Sequence, residues 1–231
     1  QDAVVKVGLD TGKLQWILGV PDGWQEPWSD HLLAPVQFIG MGRYTDKKDM
    51  EWPYHQHAPM ITPRGTLLLY DNGNFRSRPF DVSQKPEDSY SRAVEYSINE
   101  KTMEVSEVWS HGGPGDDAIY SSFISDADWL PHTENVLVTH GGILITQDGR
   151  RAEGVGLDNR RSARIMEIKR VNTIVPYQTQ GFVPNETVFE LTIDADTPTG
   201  GWHVYRAERI SATLHHEGWG SVAQSAGDGN P

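Results

Sequence analysis

The chain has 231 residues, a formal net charge of −12, 37% hydrophobic residues and no cysteine. The acidic balance argues against a non-specific nucleic-acid binder, which needs a basic face to displace counterions, and without cysteine these residues carry no disulfide, thiolate metal site or thiol chemistry. No apolar run reaches the about 18 residues of a spanning helix, and 23 glycines, 14 prolines and 8 tryptophans predict a soluble, turn-rich, all-β protein.

The first residues, QDAVVKVGLD, show no initiator Met, charged leader or apolar leader core, and so read as the start of a processed or truncated chain. Residues 4–19, VVKVGLDTGKLQWILG, give an alternating strand, a turn at Asp10-Thr11-Gly12 and a strand ending in Trp16 and Gly19. Residues 56–73, QHAPMITPRGTLLLYDNG, place His57 before an apolar run that ends at Asp71, with Asn72, Asn74 and Arg76 just beyond. After a polar stretch at 81–91, residues 93–112 repeat the first unit, with a turn at Asn99-Glu100-Lys101 and a strand closing on Trp109. Residues 125–142, SDADWLPHTENVLVTHGG, then repeat 56–73: Pro131 matches Pro63, Val136-Leu137-Val138 matches Leu67-Leu68-Leu69, His140 matches Asp71 and Gly142 matches Gly73. Further strands are predicted at 161–170, 186–193 and 202–210, and residues 225–231 read as a tail.

Short strands recurring at long regular intervals predict a β-propeller. The unit spacing, about 70 residues, exceeds the roughly 40–50 of common blades, so the connections at 81–91 and 145–162 are long. They are either solvated links or loops overhanging a site. Residues 1–224 then supply about three blades, fewer than the about 4–8 that close a ring. The remaining blades are expected from missing N-terminal sequence or from another chain.

The repeat sorts the nine histidines. His140 ends an apolar strand, the one that lines the channel of a propeller, and His57 lies just before such a strand. His111 follows a tryptophan on an outer strand and reads as a turn residue. His55, two residues from His57, shares its face in an extended segment, as a second polar contact or packed on Trp52 and Tyr54. A lone histidine in a loop is more often structural than functional. The gathering of His57, Asp71, Asn72 and Arg76 around one strand, with His140 at the equivalent place in the next, favours a site.

At QHAP (56–59), DNGNFR (71–76), LVTHGG (137–142) and YRAERI (205–210) the chain resembles the bacterial PAPS-independent arylsulfate sulfotransferases. The resemblance runs over nearly the whole chain. It implies a six-bladed propeller, periplasmic or secreted, that moves a sulfuryl group from a phenolic sulfate ester to a phenol through a sulfohistidine. It implies His140 as nucleophile, with His57 and Arg76 as catalytic partners at the sulfate. A further sulfate-binding histidine from an earlier blade, and an N-terminal β domain, have no counterpart in these residues. The partners implied are a phenolic sulfate donor and a phenol acceptor, with neither nucleic acid nor membrane; a homodimer is left open. No cofactor and no metal are expected.

The chemistry suits these residue types. Imidazole is neutral near pH 7 and needs no deprotonation before it attacks. An arginine fork matches sulfate oxygens, and a second histidine can hand a proton to the leaving phenolate and take one from the incoming phenol. His55, Asn72, Asn74 and Tyr205 are candidate substrate contacts, Tyr205 and Trp202 either bordering a phenol ring or filling the core. Three rival readings stand beside this one. His55, His57, His140 and Asp71 are legitimate metal ligands. LDTGKLQW (9–16) resembles the tryptophan-docking motif of quinone dehydrogenase propellers. A non-catalytic scaffold is the third. No G-x-x-x-x-G-K-[ST] loop suggests a nucleotide sulfate donor.

Overall fold

The computed structural model describes residues 2–40, 43–46, 50–115, 117–154, 158–170 and 185–210. The 225–231 tail lies outside them. β1 (Ala3–Val7) and β2 (Leu14–Gly19) form an antiparallel hairpin. A 3-10 turn at Trp28–His31 leads to β3 (Ala34–Gly40) and β4 (Arg43–Asp46). A four-stranded antiparallel meander follows: β5 (His57–Ile61), β6 (Leu67–Asp71), β7 (Arg92–Asn99) and β8 (Glu104–Gly112). β3 joins its outer edge by pairing with β8. A second meander repeats the pattern with β9 (Asp126–Trp129), β10 (Val136–Ile145), β11 (Arg160–Lys169) and β12 (Glu186–Ile193), and the short β13 (Gly200–Gly201) runs parallel to β11. The described residues are therefore all-β, in three sheets of which none closes on itself.

The run Leu67-Leu68-Leu69-Tyr70 is continuously apolar because β6 is buried on both faces. Leu67 and Leu69 enter one core with Trp16, Leu18, Trp52, Val94 and Tyr96, which joins the β1–β2 hairpin to the first meander. Leu68 and Tyr70 enter a second core with Trp109, Ala127, Trp129, Val136, Val138, Met166 and Ile168, which joins the two meanders. The sheets are thus stacked layers sharing β6 as a middle wall. Trp16 acts as a packing residue, its Nε1 donating to Glu100 at 3.0 Å.

Four expectations change. The apolar runs are the second strands of their meanders, because β5 and β9 precede them. His57 is the first residue of β5 rather than a residue before a strand. His111 lies inside β8, opposite Ala93, and is not a turn residue. Residues 202–210 form no strand: Val204 N donates to Gly141 O and Ala207 N to the Thr139 side chain, which makes no ladder.

Candidate functional site

His140 shares a face with Val138 and Val136, two and four residues back along β10, and that face packs against the first meander. Tyr70 shares its face with Leu68 and meets it from the other side. The Tyr70 hydroxyl and His140 Nδ1 form a 2.6 Å hydrogen bond, and the two rings sit edge to face at 5.5 Å. His140 is 1% exposed, and its Nε2 is buried without a hydrogen-bond partner. Burial, helped by His111 and Arg164 nearby, pushes its pKa down to about 3. Burial raises the Tyr70 phenol, so it stays protonated. At neutral pH this is a neutral imidazole held by one nitrogen.

His140 does not end its strand, as the sequence suggests, but sits in the middle of β10, where the ladder is interrupted. The β10–β11 register shifts between His140 and Ile143. The freed amides are taken by two serines: Gly141 N donates to Ser125 Oγ at 3.0 Å and Gly142 N to Ser121 Oγ at 2.7 Å, and the hydroxyls lie 2.8 Å apart. The glycine pair is steric in origin. A Cβ on Gly141 would lie 1.6 Å from Val204 O, and one on Gly142 2.4 Å from Phe123 O. Gly73, the repeat partner of Gly142, at φ 77°, would meet Tyr90 O at 2.0 Å with its Cβ.

His57 Nδ1 lies 2.6 Å from Asn72 Oδ1 and 3.2 Å from His55 O. A register shift between His57 and Met60, with Ala58 at φ 51°, aims the ring toward Asn72. Asn72 is buried and donates to Ser121 O at 2.7 Å and Ile124 O at 2.9 Å. Bonds through Asn72 and Ser121 thus link the His57 ring to the glycines after His140.

Arg76 is 8% exposed at its side chain and fully engaged at its outer nitrogens. Nη2 donates to Asp71 Oδ2 and to Tyr90 O, each at 3.1 Å, and Nη1 donates to Glu51 Oε1 at 3.1 Å. The guanidinium also lies over the Tyr90 ring at 4.0 Å. Asp71 is the hub of this network, accepting from Arg92 Nε at 2.9 Å and Tyr54 N at 2.9 Å as well. Tyr90 donates to Glu51, and burial with that bond pushes its phenol up to about 12. Tyr70 and Asp71, adjacent on β6, point to opposite faces. The sheet therefore separates the partners of Arg76 from the partner of His140.

His55 sits at φ 49°, so the segment is not extended there and the ring does not share a face with His57. It packs edge-on to Phe75 at 5.5 Å, with Nε2 3.5 Å from Asp2. Asn74 is buried, its Oδ1 without a partner. Trp202 and Tyr205 are 69% and 68% exposed, so neither fills the core. Among the described residues no three His, Cys, Asp or Glu side chains gather to hold a metal. Asp71 of the rival ligand set is occupied by two arginines.

Sequence reading missed Tyr70, Ser121, Ser125 and the pair Asp126–Asp128. Period-two alternation on β6 carries the signal for Tyr70: it shares a face with Leu68, toward the next unit. Burial and the adjacent Asp128 push Asp126 up to about 6, and burial raises Asp128. Residues 202–210 cross the middle of β10 on both sides of His140, with Val204 N donating to Gly141 O at 3.1 Å and Ala207 N to Thr139 Oγ1 at 3.1 Å. A groove of about 610 Å³ between β12 and residues 207–210 is lined by Leu137, Ile165, Val188, Phe189 and Leu191, with no histidine in its lining.

A model of the arylsulfotransferase (ASST) family matches residues 1–206. The arylsulfate sulfotransferase AssT of Escherichia coli O6:H1 (strain CFT073) is 31% identical over 172 residues, covering 72% of this chain and 28% of that protein. The arylsulfate sulfotransferase AssT of Lelliottia amnigena is 30% identical over 157 residues, covering 65% of this chain and 26% of that protein. The chain spans about a quarter of the length of these curated relatives. With the family model covering most of its length, the chain belongs to the arylsulfotransferase family.

Proposed function

We propose that this chain is part of an aryl-sulfate sulfotransferase that carries the sulfuryl group from a phenolic sulfate ester to a phenol on His140. The observation that carries the reading is a neutral, buried imidazole with an unpartnered Nε2 in a chain of this family. A lone pair on that ring attacks sulfur. The N–S bond forms as the S–O bond to the aryl group breaks, and the electron pair leaves on the phenolic oxygen. His57, oriented by Asn72, delivers a proton to that oxygen and takes one from the incoming phenol, which attacks the sulfohistidine and restores His140. Arg76 holds sulfate oxygens only after exchanging Glu51 or Tyr90 O for them, because those groups now fill its fork. His55, Asn72, Asn74 and Tyr205 remain the proposed substrate contacts. The cover formed by residues 202–210 has to move for an aryl sulfate to reach the ring.

The same reading makes the two meanders and the hairpin blades of a larger propeller, completed by sequence beyond these residues, in a periplasmic or secreted protein. What supports it is the four-stranded repeat with shared apolar walls. The alternative is a non-catalytic scaffold, which turns over no chromogenic aryl sulfate.

The test is mass spectrometry of the intact protein mixed with an aryl sulfate and no acceptor, quenched at alkaline pH because an N-sulfonated imidazole is acid-labile. A sulfuryl adduct on His140 is expected, with ping-pong kinetics and loss of transfer in His140→Ala. An adduct on another residue, or full activity in His140→Ala, removes the assignment.

A further inference from the structure

We infer that Tyr70 is a positioning residue that fixes the tautomer of His140, placing the ring proton on Nδ1 and leaving Nε2 as the reactive atom. The inference rests on the proposed nucleophilic role of His140.

A neutral imidazole has one donor and one acceptor nitrogen. Were the proton on Nε2, it would be a buried N–H without a partner, a rare and costly arrangement. With the proton on Nδ1, that nitrogen donates to the Tyr70 oxygen across 2.6 Å, and Nε2 carries only a lone pair. An unpaired buried acceptor costs less, and a bare lone pair is what attack on sulfur requires. The Tyr70 hydroxyl then needs an acceptor of its own. The hydroxyls of Ser91, Ser125 and Ser121 stand close enough to the phenol to interact with it. Ser121 and Ser125 are held in place by the glycine amides that follow His140, so one cluster anchors both the interruption of β10 and the phenol.

The choice of a phenol over a carboxylate has a chemical effect. When Nε2 bonds to sulfur and the aryl oxygen departs with its electron pair, the ring acquires positive charge and Nδ1–H becomes a stronger donor. A neutral oxygen accepts that bond without the full stabilisation an anion would give. The N–S bond therefore stays labile enough to be broken by the acceptor phenol.

The experiment uses the intact protein with ¹⁵N-histidine, the His140 signals being those lost in His140→Gln. In the resting wild type one protonated Nδ1 and one bare Nε2 are expected, and after an aryl sulfate without acceptor the adduct sits on Nε2. Tyr70→Phe, which keeps the ring and removes only the oxygen, should mix the two tautomers. It should slow sulfuryl transfer to His140 roughly 10- to 100-fold with little change in KM, less than the loss when a buried carboxylate orienter is removed. A wild-type His140 protonated on Nε2, or a Tyr70→Phe protein with unchanged tautomer and rate, overturns the role of Tyr70. The wild-type spectrum decides this even if the variant folds poorly. Absence of any adduct on His140 instead overturns the nucleophile reading on which it rests.

Discussion

Burial takes His140 to a pKa of about 3, whereas in the unfolded chain it titrates near the ordinary value of about 6.5. The folded-state value is depressed, so the contribution to stability is complete above about pH 6.5 and is lost as pH falls toward 3. In that window the unfolded chain binds one more proton, a slope of about 1.4 kcal/mol per pH unit. Asp126 works the other way, since its carboxyl is raised to about 6: its contribution is present at low pH and lost as pH rises through 6. Denaturation midpoints measured from pH 7 to 4 in the intact protein should fall more steeply for wild type than for His140→Gln. Equal slopes would mean that the ring is not sealed. His140 was legible in the sequence because the repeat aligned it with Asp71. Tyr70 was not, because a tyrosine closing a leucine run looks like more core, and only the packing of β6 against β10 shows where its hydroxyl goes. The engagement of Arg76 by Glu51 was equally invisible, since their pairing crosses strands and loops far apart in the chain.

At the scale of elements, residues 202–210 illustrate how alternation misleads. WHVYRAERI reads as a strand, yet its backbone bonds to Gly141 O and to the Thr139 side chain, and its aromatic side chains face solvent. β5 and β9 failed in the opposite direction. They are short, and Ala58 at φ 51° followed by Pro59 reads as a loop. One bond that seats the cover is Val204 N to Gly141 O, so that contact should open when its seat is filled. Gly141→Ala puts a methyl 1.6 Å from Val204 O, and losing one net bond of about 1 kcal/mol raises the open population roughly fivefold. Limited proteolysis of that variant should cut within 202–210 several times faster than wild type, with the sheet signal in far-UV circular dichroism unchanged. Equal cleavage would show that the cover is anchored elsewhere.

For the molecule as a whole, the repeat of units and the all-β class were legible because strand periodicity and turn glycines are local signals. The order of strands within each sheet was not, because it depends on which edges meet. β6 belongs to two cores at once, and that placement has a consequence on the clock of amide exchange. Its protons escape only when both neighbouring layers part, which requires near-global opening. Amides of Leu68, Leu69 and Tyr70 should therefore be among the last to take up deuterium, while those of Val204 and Ala207 exchange early. The strand expected to exchange slowest carries the hydroxyl that holds His140, and the segment expected to exchange fastest is the one bonded across it at Thr139 and Gly141.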